Sequence, residues 1–228
     1  MGYLWFWRYY GMMLRPKTVG RKKELSLNAT ELVLKENMIS FEEIYQNYCV
    51  GIVDVVDSTK IVSKLSQENA CIYYSVFLNT IGYIAENHGA KVVKNIGDGI
   101  LFYFPKHSPK SLSRALNCTI KMVEASEIIN NIFQERKMPK IQYRISLDYG
   151  PLMIANYMTS STKDIFGPTV NLCAKVNHIA KPNGIVIGSD LYQIVKKSNR
   201  YRFVEIGELP SAFKQDYPVY SVDLAEKV

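Results

Sequence analysis

Residues 49–56 read CVGIVDVV, a run of apolar, mostly β-branched residues broken by one carboxylate. Such a run predicts a buried strand. Asp57-Ser58-Thr59 follows at once and is a good helix start, so this strand hands directly to a helix. Apolar positions Ile72, Val76, Thr80, Tyr83 and Ile84 then recur at helical spacing, and Gly89 ends the helix. AKVVKNIGD and GILFYF read as two strands joined near Gly97 to Gly99. After a break from Pro105 to Pro109, Leu112, Ala115, Leu116, Thr119, Met122, Val123, Ile129 and Ile132 mark a long amphipathic helix. KIQYRISLDYG is a strand, and PLMIANYM is another. The order β-α-β-β-α-β is the split arrangement of ferredoxin-like folds. The expected class is α+β: a ferredoxin-like, palm-like βαββαβ sheet with helices, extended by C-terminal α/β elements. In that extension SSTKDIFGP reads as a polar loop, Val170 to Ile179 as a helix and GIVIGSD as a strand. LYQIVKKS is a short helix, and RFVEIG and YPVYSVDL are closing strands.

A chain of 228 residues suits one domain with an extension. The boundary is set at 46/47. Residues 1–46 form an aromatic and basic N-terminal extension, with a short helix near Phe41 after the capping box Ser40 to Glu43. Residues 47–228 form the main domain. The opening MGYLWFWRYYGMML is short, interrupted by Arg8 and without a small-residue cleavage site, so it is a poor signal peptide. Followed by the basic stretch Arg15 to Lys23, it has the composition of a peripheral membrane contact. The alternative is a tail packed on the domain or on a partner chain. No stretch approaches the length of a membrane-spanning helix. The net charge of +7 is spread along the chain, without zinc-finger spacing or an RNA-binding aromatic signature, so no nucleic-acid partner is expected. The four cysteines are far apart in apolar stretches, which predicts buried free thiols, no zinc site and a cytoplasmic location.

Asp54 is the oddity in the first strand. In a βαββ unit this strand lies beside the hairpin, so Asp98 at the hairpin tip comes near it. Two carboxylates that close repel and raise one pKa unless a cation sits between them. Mg²⁺ or Mn²⁺ suits carboxylate oxygens together with substrate phosphates, and two such ions fit phosphoryl chemistry. The other reading is a strand-end Asp and a plain Asp-Gly turn, and pattern alone leaves both open.

VDVVDST, KNIGDGILFYF and DIFGPTVNLCAKV, in this order, resemble the class III nucleotidyl cyclase catalytic domain, the adenylate and guanylate cyclase family. The resemblance covers about residues 47 to 224. It implies an enzyme with two Mg²⁺ or Mn²⁺ ions per site, in which a nucleotide 3′-hydroxyl attacks the α-phosphate and pyrophosphate leaves. Asp54 and Asp98 match the metal carboxylates, joined by the Val55 carbonyl. Ser58 and Thr59 lie in the segment that holds the triphosphate, where Asp57 stands in place of the usual Gly.

The same resemblance gives Lys94 the purine-reading position and Asp164 its partner. A Lys ammonium donates to adenine N1, whereas guanine presents a donor there, and Asp accepts from the adenine amine. Asn171 matches the Asn that orients the ribose. Lys175 stands where the family has a transition-state Arg, keeping the charge without the planar fork. Lys214 falls in the region of a triphosphate-binding Lys. The sites are expected at a homodimer interface, two per dimer. The implied function is conversion of ATP to 3′,5′-cyclic AMP and pyrophosphate. The alternatives are a weak or inactive nucleotide-binding regulatory module, and a guanylate cyclase.

Overall fold

The computed structural model describes residues 39–105, 108–157, 163–210 and 216–225. Strand β1 (Ile39–Val55) leads into a one-turn helix α1 (Ser58–Val62) and then α2 (Gln67–Asn87). The hairpin β2 (Lys91–Ile96) and β3 (Gly99–Phe104) follows, then α3 (Pro109–Glu135). Next come β4 (Tyr143–Tyr157), β5 (Lys163–Phe166), α4 (Pro168–Asn177), β6 (Ile185–Gly188), α5 (Ser189–Val195), β7 (Tyr201–Leu209) and β8 (Tyr217–Leu224). All the strands join one sheet in the order β2-β3-β1-β4-β6-β8-β7, with β5 paired to β4. This is the expected α+β, ferredoxin-like arrangement.

Strand β1 lies at the centre, antiparallel to β3 on one side and β4 on the other. Its alternation sorts two apolar layers. Cys49, Val53 and Val55 join Phe102, Tyr73, Phe77 and Phe133 under α2 and α3. Tyr48, Val50 and Ile52 face the other way with Leu101, Tyr103, Leu152, Ile165 and Cys173 of α4. Gly51 is required at the crossing, because a Cβ there would lie 2.2 Å from the Phe102 ring.

The hairpin carries one irregularity. Val92 pairs with Phe102 but Lys94 pairs with Leu101, so Val93 is a β-bulge with no partner. Val92 packs into the layer under the helices, whereas Leu101 belongs to the other. The extra residue therefore lets Val92 and Lys94, two positions apart, face opposite sides of the sheet, with Lys94 on the α4 side.

Several local expectations are corrected. The helix near Phe41 does not form: residues 39–41 pair with β4, Phe41 opposite Ala155. A capping box is worth only about 1 kcal/mol, and a long-range strand ladder outweighs it. The loop SSTKDIFGP contains β5, which pairs Asp164 with Ala155. KIQYRISLDYG and PLMIANYM form one continuous strand through Gly150. The helix begun at Ser58 breaks before Ser66, whose side chain caps α2 by accepting from the Asn69 N–H at 3.2 Å. The buried stripe of α2 is Tyr73, Phe77, Ile81 and Ala85, offset from the predicted face; Tyr83 is exposed. The large rings choose the inward face, and Tyr73 stacks on Phe133 at 4.6 Å. Of the cysteines, Cys49, Cys118 and Cys173 are buried, but Cys71 is exposed. Most of the N-terminal extension, residues 1–38, lies outside the described residues, as does its membrane contact. No helix among the described residues is long and apolar enough to cross a membrane.

Candidate active site

Asp54 is the penultimate residue of β1 and sits opposite Gly99 at the start of β3. Asp98 precedes that glycine in the hairpin turn, where Gly97 takes φ +62°. Gly99 is held close to β1: a Cβ on it would lie 2.5 Å from the Val53 carbonyl and 3.4 Å from Asp54 Oδ1. These contacts bring Asp98 beside Asp54. Burial, and then the Asp98 charge, push the Asp54 carboxyl up to about 6, opposed by the Arg144 guanidinium.

Two carboxylates with the adjacent Val55 carbonyl make an oxygen-only donor set, which fits hard divalent cations such as Mg²⁺ or Mn²⁺. Among the described residues, no third acidic, histidine or cysteine side chain completes a metal cluster with them. Asp57 in particular does not join. It takes φ 55°, ψ 27° at the head of α1, a left-handed conformation that glycine adopts freely and Asp tolerates. Its backbone is thus compatible with the family's glycine at this place. Ser58 and Thr59 form the first turn of α1, with Thr59 exposed.

Lys94 and Asp164 meet. The Lys94 ammonium donates to Asp164 Oδ2 at 2.6 Å, and Asp164 Oδ1 accepts from the Ile165 N–H at 2.8 Å. The lysine side chain is 46% exposed and the aspartate 11%. A partly open ammonium therefore sits over a largely buried carboxylate.

Helix α4 carries Asn171 and Lys175 one turn apart. Its other side is tied to the sheet: Cys173 Sγ donates to the Val50 carbonyl at 3.5 Å, and Asn177 Nδ2 donates to the Ile52 carbonyl at 3.2 Å. Asn171 is two positions from Cys173, and Lys175 two positions from Asn177, about 200° of helical rotation each. Asn171 and Lys175 therefore lie on the side of α4 away from β1. Lys214 lies outside the described residues.

The catalytic-domain model for adenylate and guanylate cyclases matches residues 41–222. The chain belongs to this family. The cyclase domain is 22% identical over 172 residues to the cytidylate cyclase of Staphylococcus aureus, covering 71% of this chain and 40% of that protein. It is 22% identical over 146 residues to an adenylate cyclase of Streptomyces coelicolor, covering 64% of this chain and 33% of that protein. The chain thus spans less than half the length of these relatives. In fold it is similar to the adenylyl cyclase CyaB from P. aeruginosa, with TM-score 0.72, 19% identity, and 80% and 97% of the two chains covered.

Sequence reasoning missed other polar residues of this cyclase domain. Arg144 on β4 is the direct cross-strand partner of Asp54, and its Nε is buried without a hydrogen-bond partner among the described residues. A lone arginine in the alternating strand KIQYRISLDYG was the available signal. Asn177 also donates to the Arg144 carbonyl at 3.3 Å and to Ser146 Oγ at 3.2 Å. His178, which caps α4, is held below the usual imidazole range by burial, then by Arg144 and Lys175. Asp148 is fully buried and accepts from the Tyr217 hydroxyl at 2.6 Å, fastening β8 to β4.

Proposed function

We propose that this cyclase domain converts ATP to 3′,5′-cyclic AMP and pyrophosphate at a homodimer interface. The Lys94–Asp164 pair carries the reading. An ammonium has three donors, of which the bond to Asp164 uses one. The lysine can donate to adenine N1 while the aspartate accepts from the exocyclic amine. Guanine would place a carbonyl and an N–H there, so that the N–H opposes the ammonium.

Asp54, Asp98 and the Val55 carbonyl would hold the divalent cations, which neutralise the triphosphate and favour ionisation of the attacking 3′-hydroxyl. Arg144 adds a guanidinium beside Asp54, placed to meet a phosphate oxygen. Ser58 and Thr59 offer N–H and hydroxyl donors to the triphosphate. Asn171 orients the ribose, and Lys175 meets charge developing at the α-phosphate. Because Asn171 and Lys175 lie on the side of α4 away from their own β1, we assign them, with Lys94 and Asp164, to the site of a second copy. Asp54 and Asp98 then come from the facing protomer, and two-fold symmetry gives two equivalent sites.

The test is product analysis by mass spectrometry after incubating the full chain with ATP, GTP, CTP or UTP and Mg²⁺ or Mn²⁺. Cyclic AMP as the main product, absent with Asp54→Ala, is expected. A cyclic nucleotide of another base would overturn the base reading. Absence of any product would favour the second reading, a nucleotide-binding regulatory module. The presence of Lys175 at the position of the family's arginine supports that second reading, and recovery of activity in Lys175→Arg would show it to be a weakened enzyme.

A further inference from the structure

Helix α3 is 27 residues long and carries a continuous stripe on its solvent side. Steps of four and three residues alternate along it from Lys110 to Glu135, the spacing that keeps side chains on one helix face. Every member is exposed except Asn117, which is half-buried. The charges on it are sorted by sign. Lys110, Arg114 and Lys121 lie in the first half, and Glu124 and Glu135 in the second. Where the halves meet, Lys121 Nζ donates to Glu124 Oε2 at 2.5 Å. Among the described residues, Lys110, Arg114 and Glu135 have no ion-pair partner.

Apolar features are sorted in the same way. In the acidic half, Ile128 on the stripe is 63% exposed and Ile132 on its flank 36%. In the basic half, a cavity of about 130 Å³ opens between α3 and α5, with Ser113, Leu116 and the exposed Ile194 in its walls. Arg200 adds a further cation there, its Nη2 donating to Asn117 Oδ1 at 2.9 Å. A hollow of ~150 Å³ takes one benzene-sized group. One half of the helix thus presents apolar side chains among acids, and the other an apolar hollow among bases.

We propose that this face of α3 is an interface with a second copy of the chain, formed by antiparallel pairing of the two α3 helices about a two-fold axis between Lys121 and Glu124. That pairing sets Lys110 opposite the second copy's Glu135, Arg114 opposite Asn131, Asn117 opposite Ile128 and Lys121 opposite Glu124. Every member of the stripe meets another member, and each contact occurs twice, as an isologous interface requires. Ser113 on the flank falls opposite Ile132, which brings an apolar side chain to the mouth of the hollow. The register is specified by repulsion as well. A slide of one turn in either direction sets Lys121 or Glu124 against its own copy, and a parallel arrangement sets all the like charges together. The face is mostly polar, so the contact is weak and sensitive to salt. It lies on the side of the sheet opposite α4, and one copy can engage it and the proposed catalytic dimer together. It does not depend on the cyclase reading.

The experiment uses the full chain carrying Cys71→Ser, which removes the exposed thiol. Adding Arg114→Cys/Asn131→Cys and oxidising mildly should give covalent dimers on a denaturing gel, because both disulfides join the same two copies. Those two positions are too far apart on one helix to link within a chain. Arg114→Cys alone should stay monomeric on that gel. A ladder of longer species would overturn the proposal in favour of head-to-tail contacts, linking by Arg114→Cys alone would overturn it in favour of a parallel contact, and no linking at all would remove the interface. Sedimentation velocity over a concentration series at low salt supplies the second arm. Lys110→Glu and Glu135→Lys should each weaken one association step by about tenfold, since two attractions become two repulsions. Lys110→Glu/Glu135→Lys should restore it, because each copy then carries both reversed charges. Failure of the swapped pair to restore association would also overturn the proposal. Cyclic nucleotide production is read separately, so failure of the cyclase reading would not be mistaken for failure of this contact.

Discussion

Lys94 and Asp164 stand 70 positions apart in the chain and join at 2.6 Å, Nζ to Oδ2. One comes from β2, the first strand of the hairpin, and the other from the four-residue strand β5, which pairs with β4. Their meeting makes a paired donor and acceptor from two elements that share no local sequence.

Base preference should follow that pair. Lys94→Glu removes the donor and supplies an acceptor for guanine N1–H. We expect kcat/KM for ATP to fall by about 10–100-fold, the range of one lost hydrogen bond to a charged group, and the ATP-to-GTP ratio to move toward GTP. Competition assays with both nucleotides measure it. An unchanged ratio would refute the assignment.

Under the role proposed for Lys175, Lys175→Arg would supply a planar fork where charge develops. Mutational losses of such donors run to ~10²–10³ in rate, and lysine already keeps the charge. An increase in kcat of about tenfold is expected, with KM changing little. A rise in affinity without a rise in kcat would show that residue 175 acts on bound substrate and not on the transition state.

The raised Asp54 pKa fixes a pH signature. Its value of about 6 in the fold exceeds the ordinary 3.8, so the ionised carboxylate costs the metal-free native state. That cost is absent well below pH 4, grows between 4 and 6, and is complete above 6. Asp54→Asn should therefore raise the melting temperature in EDTA at pH 7 to 8, with the gain vanishing toward pH 4. Mn²⁺ binding to the unaltered chain should weaken as pH falls through 6, since the proton competes with the cation. Thermal melts and calorimetry across that range read both effects.

Asn177 holds α4 to the sheet through three acceptors: the Ile52 and Arg144 carbonyls and Ser146 Oγ. Asn177→Ala leaves buried acceptors without this donor and should cost roughly 1–3 kcal/mol of stability. Because α4 carries Asn171 and Lys175, activity should fall further than the folded fraction does. Denaturant unfolding alongside the cyclase assay separates the two.

The path from Asp54 through the hairpin to Asp98 was legible because it is local: a buried strand, a helix start and a glycine turn each announce themselves. The Lys94–Asp164 match was legible only through resemblance, since nothing in SSTKDIFGP signals a strand. Lys163 to Phe166 becomes one by pairing with β4. Tyr73 and Phe77 displaced the predicted face of α2 because ring packing on Phe133 and Tyr143 is a tertiary matter. Arg144 and Asp148 escaped notice for the same reason. A charge within an alternating strand looks solvent-facing until the neighbouring strands show what lies opposite.

The unpaired Val93 has a bearing on how such a domain can diversify. The turn sets Lys94 opposite Leu101, so the one added residue decides only which side of the sheet the start of β2 occupies, and a single-codon deletion there would leave Lys94 in place. The turn carrying Asp98 lies on the same side of the bulge, next to Gly99, which pairs with Asp54, and such a change would leave it too where it is. The two proposed roles of the hairpin, base reading by Lys94 and metal binding by Asp98, are thus both anchored from its turn, while the strand's far end is open to change.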